Sequence, residues 1–360
     1  MGKIRVLVVE DSLVFRSLLE KYINDDPELE VVAVANDPFE ARDKIIEFKP
    51  DVMTLDVELP KMNGIEFLRK LMPQYPVRTI VISSLSEKVF DALQAGAVDF
   101  VAKPATTDRR VLDEFVSKDL PAKIKIASKA MLRKSYSPIS SKAPRSFSNN
   151  YDSIQSNAES SLQNLIVAIG ASTGGTEATS SIVEMFGPDI PGVVVTQHMP
   201  EGFTRMYAQR LNQRVVEGIT VKEAEQGDVV KPGLILIAPG GDRHMEIIKK
   251  GGQYVVMLRN GEKVNGHRPS VEVLFNSVAK AAGSNAVGII LTGMGGDGAK
   301  GLLNMKNAGA KTIGQDESTS VVYGMPRVAY EMGAVQYQEK LPDIAKRTYS
   351  LLEQIQKKNA

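Results

Sequence analysis

The chain has 360 residues, of which 43% are hydrophobic and 24% charged, and this composition is typical of a soluble globular protein with two or three domains. Its 44 basic and 43 acidic side chains leave a net charge of +1, which argues against a nucleic-acid partner. Because cysteine is absent, disulfides, thiol catalysis and cysteine-ligated metals are excluded. The apolar run at 6–9 is too short for a secretory signal, and no run reaches the ~18 residues of a membrane span. We therefore expect a cytoplasmic protein without direct membrane insertion.

A change of composition divides the chain. Residues 135–161 hold 10 serines in 27 positions and few large apolar side chains. Such a segment buries too little apolar surface to offset the entropy of ordering it, so it is predicted to be a flexible linker. The resulting domains are 1–127 and 162–360, joined by a linker at 128–161.

In the first domain, short apolar runs alternate with amphipathic helical patterns. Helices are predicted at 13–23, 39–48 and 65–71. Five strands interleaved with helices predict a doubly wound parallel sheet. The predicted strands are 4–9, 31–34, 52–55, 79–82 and 98–101.

Polar side chains follow these strands at their carboxyl ends, where such sheets place function. Glu10 and Asp11 follow the first strand, Asp56 the third, Ser83 the fourth and Lys103 the fifth. Three converging carboxylates repel each other, and a hard cation such as Mg2+ can hold them together. The hydroxyl and the ammonium complete a site for a phosphoryl group.

This pattern resembles the receiver domain of two-component response regulators over about residues 1–127. The resemblance rests on Glu10-Asp11-Ser12, Asp56, Ser83-Ser84 and Lys103-Pro104, with Phe100 at the position of an aromatic switch residue. It implies a flavodoxin-like fold in which Asp56 takes a phosphoryl group from a histidine kinase. It also implies that Glu10, Asp11 and Asp56 hold Mg2+, and that Ser83 and Lys103 support the phosphosite. Only eleven residues separate Ser84 from Gly96, so a fourth helix about one turn shorter than usual is expected.

Residues 162–360 alternate strands and helices again, which predicts a doubly wound, mainly parallel α/β domain. The segment is too large and too weakly basic for the small DNA-binding modules that many response regulators carry. Its predicted strands are 165–169, 193–197, 234–237, 254–258, 287–291 and 311–314.

The glycine-rich loop at 170–175 follows an apolar strand and fits G-x-S-x-G, a turn that exposes the hydroxyl of Ser172. On this motif alone, a serine that caps the next helix is an equally good interpretation. His198 directly follows the strand at 193–197, and Asp297 lies in the loop after the strand at 287–291. Serine, histidine and carboxylate at three strand ends are the components of a nucleophilic triad.

A second glycine-rich loop, at 293–298, fits G-x-G-x-x-G and is followed by Asp316 after the next strand. This pattern is close to a dinucleotide-binding fingerprint, so a nucleotide-binding oxidoreductase is one alternative. Only 62 residues follow Gly298, too few for the remaining strands of a full Rossmann domain. The other alternative is a phosphorylation-gated scaffold without catalysis.

The order serine, histidine, aspartate differs from the order serine, aspartate, histidine of α/β-hydrolases. In that family the base of this chain would be His244 or His267, and the acid Asp228 or Asp242. His244 otherwise only lines the cleft.

As a whole, the chain resembles the CheB family, the protein-glutamate methylesterases of bacterial chemotaxis, in which a receiver is joined by a linker to an α/β domain with this triad order. Five strings carry the resemblance: IGASTGG at 169–175, QHMP at 197–200, IAPGG at 237–241, NGHRPSV at 265–271 and LTGMGGDG at 291–298. The family often has asparagine at the position of Gly296, and we expect no consequence for the chemistry.

The resemblance implies a phosphorylation-activated serine hydrolase whose catalytic residues are Ser172, His198 and Asp297. Its substrates would be methyl-glutamate residues on the cytoplasmic helices of methyl-accepting chemoreceptors, with methanol as a product. Deamidation of receptor glutamines would follow the same chemistry.

Further residues and partners follow from the same resemblance. The backbone N–H of Met294 would donate to the oxyanion. Thr173, His267 and Arg268 are candidate substrate contacts. A chemotaxis histidine kinase would be the phosphodonor, Mg2+ would serve phosphorylation, and the ester chemistry would need no cofactor.

Overall fold

The computed structural model describes residues 2–83, 86–103, 115, 119–132 and 162–359. The chain separates into two units, Met1–Ser140 and Ser141–Ala360, and each is described by itself. Most of the predicted linker, together with Ser84 and Pro104, lies outside the described residues.

Buried apolar strands, each connected to the next through a helix, build the first unit. The strands are β1 Ile4–Val9, β2 Leu29–Ala35, β3 Val52–Asp56, β4 Arg78–Ser83 and β5 Asp99–Ala102. The helices are α1 Leu13–Asp25, α2 Pro38–Phe48, α3 Gly64–Leu71, α4 Ser86–Gln94 and α5 Leu120–Ser128. All neighbouring strands pair in parallel, in the order β2-β1-β3-β4-β5, so the predicted five-stranded parallel sheet is confirmed. The fourth helix has nine residues.

Short polar residues fix where three of these helices begin. The side chains of Ser12, Asp37 and Asn63 accept hydrogen bonds from backbone N–H groups in the first turns of α1, α2 and α3. The first N–H groups of a helix have no hydrogen-bond partner inside the helix, and these side chains supply one. Each cap therefore fixes the residue at which the loop ends and the helix begins. Helices α1 and α2 therefore begin within four residues of the ends of β1 and β2.

The second unit has a larger sheet with a small one beside it. Its strands are β6 Ile166–Ala171, β7 Gly192–Gln197, β8 Thr220–Glu223, β9 Val229–Val230, β10 Leu234–Ile237, β11 Arg243–Lys250, β12 Gln253–Asn260, β13 Ala286–Ile290, β14 Lys311–Gln315 and β15 Tyr337–Glu339. Its helices are α6 Gly175–Val183, α7 Phe203–Asn212, α8 Val271–Ala282, α9 Ala299–Asn307, α10 Met325–Glu331 and α11 Leu341–Asn359, with single 3-10 turns at Gly283–Asn285 and Glu317–Thr319.

Seven of these strands form one parallel sheet in the order β15-β14-β13-β6-β7-β10-β8, which confirms the predicted α/β class. The predicted strand at 254–258 is a strand, but it belongs to the antiparallel sheet β11-β12-β9. Strands β8, β9, β11 and β15 were not predicted. β8 and β15 lie at the edges of the large sheet, where side chains are partly exposed and the sequence carries no continuous apolar run.

The strand order reverses at β6. Its neighbour on one side is β7, the next strand in the chain, and on the other side β13, which begins 120 residues after β6 begins. Connections leave a sheet in opposite directions at such a point and open a crevice above the carboxyl ends of its strands. We therefore expect ligand chemistry at the end of β6.

Helix α8 packs directly on β6. A Cβ atom at Gly170 would lie 2.1 Å from Cγ1 of Val271, so only glycine allows this approach. Val271, Leu274, Phe275 and Val278 are completely buried in the contact. The first turn of α8 is thereby held close to the crevice. Among the described residues, no helix combines the length and the apolar character needed to span a membrane.

Replacing Phe275 with alanine tests how much this packing contributes. The fully buried ring leaves a cavity when it is removed, and we expect the free energy of unfolding of the second unit to fall by about 3–5 kcal/mol. Tyr330, whose side chain is 53% exposed, provides the control, because its replacement by alanine should cost less than about 0.5 kcal/mol. Denaturant unfolding of the full chain measures both, and equal losses would contradict the packing argument.

Candidate active site

Ser172 and His198 follow two adjacent strands and lie next to each other at the crevice. Ala171 at the end of β6 pairs with Gln197 at the end of β7, and the backbone N–H of His198 donates to the carbonyl of Ala171 at 3.1 Å. The register therefore places Ser172 beside His198, one step past the paired ends. Asp297 lies in the loop after β13, on the other side of β6.

The backbone of Ser172 is fixed from both sides. Its N–H donates to the carbonyl of Thr292 at 3.0 Å, and its carbonyl accepts from the N–H of Gly175 at 2.7 Å and from Nε2 of Gln197 at 2.8 Å. The helix-cap interpretation of this serine is wrong, because α6 begins after Gly174, which has a φ of +77°, and no side chain caps it. The motif therefore holds the serine in a turn at the carboxyl end of β6.

His198 and Asp297 are joined by a hydrogen bond of 2.8 Å between Nε2 and Oδ2. Both side chains are almost completely buried, at 8% and 1% exposure. Although Ser172 and His198 both lie in the described part of the chain, no hydrogen bond joins their side chains. Within that part, Nδ1 of His198 is buried and has no hydrogen-bond partner. The ring thus offers one nitrogen to Asp297 and keeps the other available as an acceptor.

Four further donors surround the Asp297 carboxylate. Asn265 Nδ2 and Ser270 Oγ donate to Oδ1 at 2.9 and 2.8 Å, and the backbone N–H of Glu272 reaches the same oxygen at 3.3 Å. The N–H of Val271 donates to Oδ2 at 2.7 Å. Asp297 therefore occupies the N-terminus of α8, where unpaired N–H groups and the helix dipole favour negative charge.

Opposing effects act on the pKa of Asp297. Burial by itself raises it, but the hydrogen bond and charge interaction with His198, together with the donors Asn265 and Ser270, lower it to about 2. The carboxylate consequently stays ionised at neutral pH. It can fix the tautomer of His198 and stabilise a protonated ring without taking the proton.

The loop that carries Asp297 also packs against the serine. A Cβ atom at Gly293 would lie 2.6 Å from Cβ of Ser172, so the loop backbone approaches as closely as glycine allows. The N–H of Gly293 donates to the carbonyl of Val322, whereas the N–H of Met294 donates to no other described residue. The next amide along the loop is thus available to an incoming ligand.

His267 and Arg268 lie at this site in different ways. The ring of His267 stacks on the ring of His198, with centroids 3.6 Å apart and planes 11° from parallel. Arg268 donates from Nε to the carbonyl of Gly241 at 2.8 Å and from Nη1 to that of Gly261 at 2.6 Å, so it connects two loops. Thr173 is buried, and its carbonyl accepts from the hydroxyl of Thr292.

His244 has a structural position. It is buried, its Nε2 contacts the carbonyl of Glu262 at 2.9 Å, and its Nδ1 accepts from the N–H of Ser270 at 3.2 Å. The two acids proposed for the α/β-hydrolase order are engaged elsewhere: Asp228 pairs with Lys222 at 2.8 Å, and Asp242 lies 3.5 Å from Arg243. Neither pairs with a histidine in the described residues.

The geometry does not favour the nucleotide-binding alternative. The loop glycines make room for packing, since a Cβ atom at Gly298 would lie 2.4 Å from Val271 and one at Gly293 would meet Ser172. Asp316, the candidate ribose ligand, accepts from the N–H of Thr319 at 3.0 Å and caps the 3-10 turn that follows. Gly293, Gly298 and Asp316 are thus accounted for by contacts within the protein.

Sequence reasoning missed Asn265 and Ser270 as contacts of Asp297. Both lie in the string at 265–271, from which only His267 and Arg268 were singled out. The Asn-Gly pair at 265–266 is itself a strong turn signal. The residue that this turn contacts, Asp297, lies 32 positions further along the chain, and the sequence around the turn does not indicate it.

In the first unit, Glu10, Asp11 and Asp56 come together at the carboxyl ends of β1 and β3. One carboxylate oxygen of each lies within 4.8 Å of the others. Lys103 donates to Asp56 Oδ2 at 2.8 Å and to Glu10 Oε2 at 3.1 Å. Ser83 is buried at the end of β4, and its carbonyl accepts from the N–H of Lys103 at 2.9 Å.

This cluster has more negative charge than one ammonium balances. Burial, and then the neighbouring Asp56 carboxylate, raise the pKa of Glu10 to about 7, although Lys103 opposes the shift. Burial disfavours the charged form of Lys103, but its contacts with Asp56 and Glu10 raise the pKa of this group overall. Three hard oxygen donors with excess negative charge fit a magnesium ion.

Phe100, the expected aromatic switch residue, is buried on β5, and Nζ of Lys123 lies 5.7 Å from its ring centroid.

Comparisons with known proteins match both units. Residues 167–348 match the CheB methylesterase family model, and residues 6–114 match the response regulator receiver domain model. The protein-glutamate methylesterase/protein-glutamine glutaminase 2 of Syntrophomonas wolfei subsp. wolfei is 56% identical over 355 residues, which is 99% of each chain. The corresponding protein of Sulfurimonas denitrificans is 48% identical over 353 residues, or 97% of this chain and 98% of the relative. The chain belongs to the CheB methylesterase family.

A solved structure supports the same family for the second unit. The crystal structure of the Thermotoga maritima CheB methylesterase catalytic domain matches with a TM-score of 0.50 and 39% identity, over 53% of this chain and 98% of that chain. Gly296 lies against Val328, and a Cβ atom on it would be 3.0 Å from Cγ1 of that residue.

The depressed pKa of Asp297 predicts how this CheB-family chain responds to acid. A carboxyl whose pKa is lower in the folded than in the unfolded state contributes stability above its unfolded pKa of 3.8, and this stability is lost as the pH falls towards about 2. The difference in free energy of unfolding between wild type and Asp297→Asn should therefore shift by about 2 kcal/mol, to the disadvantage of wild type, between pH 5 and pH 2. Denaturant unfolding at several pH values measures it, and a constant difference would contradict the prediction.

Proposed function

We propose that this CheB-family chain is a phosphorylation-activated protein-glutamate methylesterase and protein-glutamine glutaminase. Its substrates are methyl-glutamate and glutamine residues on the cytoplasmic helices of methyl-accepting chemoreceptors. The observation that carries the proposal is the buried His198–Asp297 hydrogen bond of 2.8 Å beside Ser172, at the point where the strand order reverses.

In the acylation step, Ser172 Oγ forms a bond to the ester carbonyl carbon while its proton passes to His198. Because Nε2 of His198 is held by Asp297, the proton goes to Nδ1, which has no partner among the described residues. When the tetrahedral intermediate collapses, its bond to the methoxy oxygen breaks. That oxygen takes the proton from Nδ1 and leaves as methanol.

Deacylation repeats these steps with water as the nucleophile in place of the Ser172 hydroxyl. His198 takes a proton from the attacking water, whose oxygen bonds to the acyl carbon. The bond from that carbon to Ser172 Oγ then breaks, and Oγ takes the proton from His198, which leaves glutamate and free Ser172. A glutamine side chain forms the same acyl-serine when its C–N bond breaks and ammonia leaves. Asp297 remains ionised throughout and stabilises the protonated His198 ring.

The N–H of Met294 is the proposed oxyanion donor. It follows Gly293, which packs against Ser172, and it makes no hydrogen bond to another described residue. A fixed donor at this place stabilises the negative charge that develops on the carbonyl oxygen. The substrate contacts predicted at Thr173 and Arg268 stay predictions, and the contact of His267 with His198 is taken up below.

Asp56 is the proposed acceptor of a phosphoryl group from a chemotaxis histidine kinase. Glu10, Asp11 and Asp56 would hold Mg2+, which when bound would offset the repulsion between these carboxylates and the phosphoryl oxygens. Lys103, now paired with Asp56, would pair with a phosphoryl oxygen. The buried Ser83 lies at the neighbouring strand end and supports the same group.

Ser172→Ala tests the esterase chemistry. Without the nucleophile, methanol release from methylated chemoreceptor should fall by at least about 1,000-fold. Ser181→Ala is the control, because that hydroxyl donates to the carbonyl of Glu177 inside α6, and its release should equal that of wild type. Equal release by the Ser172 variant and wild type would exclude the proposed nucleophile, and no release by folded wild type would favour the scaffold alternative.

Asp56→Asn tests the activation. A small-molecule phosphodonor with Mg2+ should raise methanol release by wild type and add one phosphoryl mass, and the variant should show neither effect because asparagine accepts no phosphoryl group. Asp43→Asn, which changes an exposed carboxylate paired with Arg42, should respond as wild type does. Full stimulation of the Asp56 variant would show that activation does not depend on this residue.

A further inference from the structure

A four-residue turn, residues 264–267, lies next to His198 and Asp297. Val264 and His267 exchange two backbone hydrogen bonds of 3.0 Å, N–H to carbonyl in both directions. The two central residues both have positive φ, +52° at Asn265 and +83° at Gly266. This is the backbone of a type I′ turn, which asparagine followed by glycine favours. The turn therefore holds the side chains of Asn265 and His267 in fixed directions.

These two side chains contact two different catalytic residues. Asn265 Nδ2 donates to Oδ1 of Asp297 at 2.9 Å. The ring of His267 covers one face of the His198 ring, with 3.6 Å between centroids and 11° between planes. One turn thus contacts both members of the His198–Asp297 pair from outside that pair.

We propose that the 264–267 turn is a brace for the general base, and that His267 is a positioning residue that fixes the plane of the His198 ring. The proposal rests on the proposed function, since it assigns how the same site is held. It replaces the role of His267 as a substrate contact.

A single hydrogen bond leaves the base insufficiently oriented. The bond from Nε2 to Asp297 fixes one end of the His198 ring but allows the ring to turn about that direction. Nδ1 must point at the serine proton, and small misplacements of reacting groups reduce rates strongly. A flat ring packed on the face removes this rotation. It also excludes water from the His198–Asp297 pair, where a low dielectric strengthens the interaction.

The brace predicts a particular pattern for substitutions of His267. His267→Ala should lower kcat about 10-fold on methylated receptor, with KM changed less than about 2-fold, because the loss concerns the base and not substrate binding. His267→Phe keeps a flat face and should retain kcat within about 3-fold of wild type. A rise in KM with unchanged kcat in His267→Ala would make the residue a substrate contact and overturn the proposal.

Two glycines with the same geometry give a matched test of the turn itself. Gly266 and Gly252 both have a φ of +83°, and a Cβ atom on either would meet nothing within 4 Å. Gly252 lies in the two-residue turn between β11 and β12, where Lys250 pairs with Gln253. Alanine at either position introduces the same backbone strain without a clash. Both variants should therefore lose similar stability, measured as the melting temperature.

Their activities should differ. Gly266→Ala should lower kcat about 10-fold because the strained turn displaces Asn265 and His267, whereas Gly252→Ala should keep the wild-type kcat within about 2-fold. Equal kcat values for the two variants would overturn the proposal, whichever value they share.

A spectroscopic measurement separates the brace from the reaction. The proton that Nε2 of His198 shares with Asp297 should give a downfield proton NMR signal in wild type and in His267→Phe. The signal should broaden or move in His267→Ala, where water reaches the ring and the ring turns. An unchanged signal in His267→Ala would overturn the brace. Because this readout needs no substrate, it holds even if wild type released no methanol, a result that would count against the proposed function alone.

Discussion

A buried carboxylate without donors is strongly unfavourable, and the catalytic unit is built around one that has five. Asp297 receives hydrogen bonds from His198, from two side chains of the loop before α8 and from two backbone N–H groups of the first turn of that helix. These donors come from two separate parts of the chain, His198 and the segment 265–272. The charge of Asp297 therefore fixes the histidine, the loop and the helix relative to one another, and the geometry of the site depends on it.

The fold supplies those donors through one close approach. Gly170 lets Val271 of α8 contact β6 directly, and this contact holds the first turn of the helix at the crevice. The same strand leads to Ser172, its neighbour β7 leads to His198, and β13 leads to Asp297. The proposed nucleophile, the proposed base and its carboxylate partner thus come from three adjacent strand ends, and a rigid sheet holds them in fixed orientations.

The two units treat buried negative charge in opposite ways. Asp297 has its charge matched by donors, so its pKa falls to about 2 and it stays ionised. Glu10 and Asp56 share one ammonium, and the pKa of Glu10 rises to about 7, so their charge is only partly compensated. The first arrangement suits a group that must not exchange protons during a reaction. The second suits a site whose remaining negative charge a bound cation would offset, and whose charge balance would change when a phosphoryl group is added.

The sequence by itself determined the two parallel sheets, apart from the edge strands β8 and β15, and the residues at their strand ends. Apolar runs mark buried strands, and the polar residue directly after each run marks the functional edge, so Asp56, Lys103, Ser172 and His198 could be found without coordinates. Edge strands such as β15 could not, because half-exposed strands have no apolar run. Only the tertiary structure decided that Asn265 and Ser270 support Asp297 and that His267 covers His198. Those contacts join residues that are 27 to 69 positions apart in the chain. A local sequence pattern can predict a turn, but it does not predict which distant side chain the turn will contact.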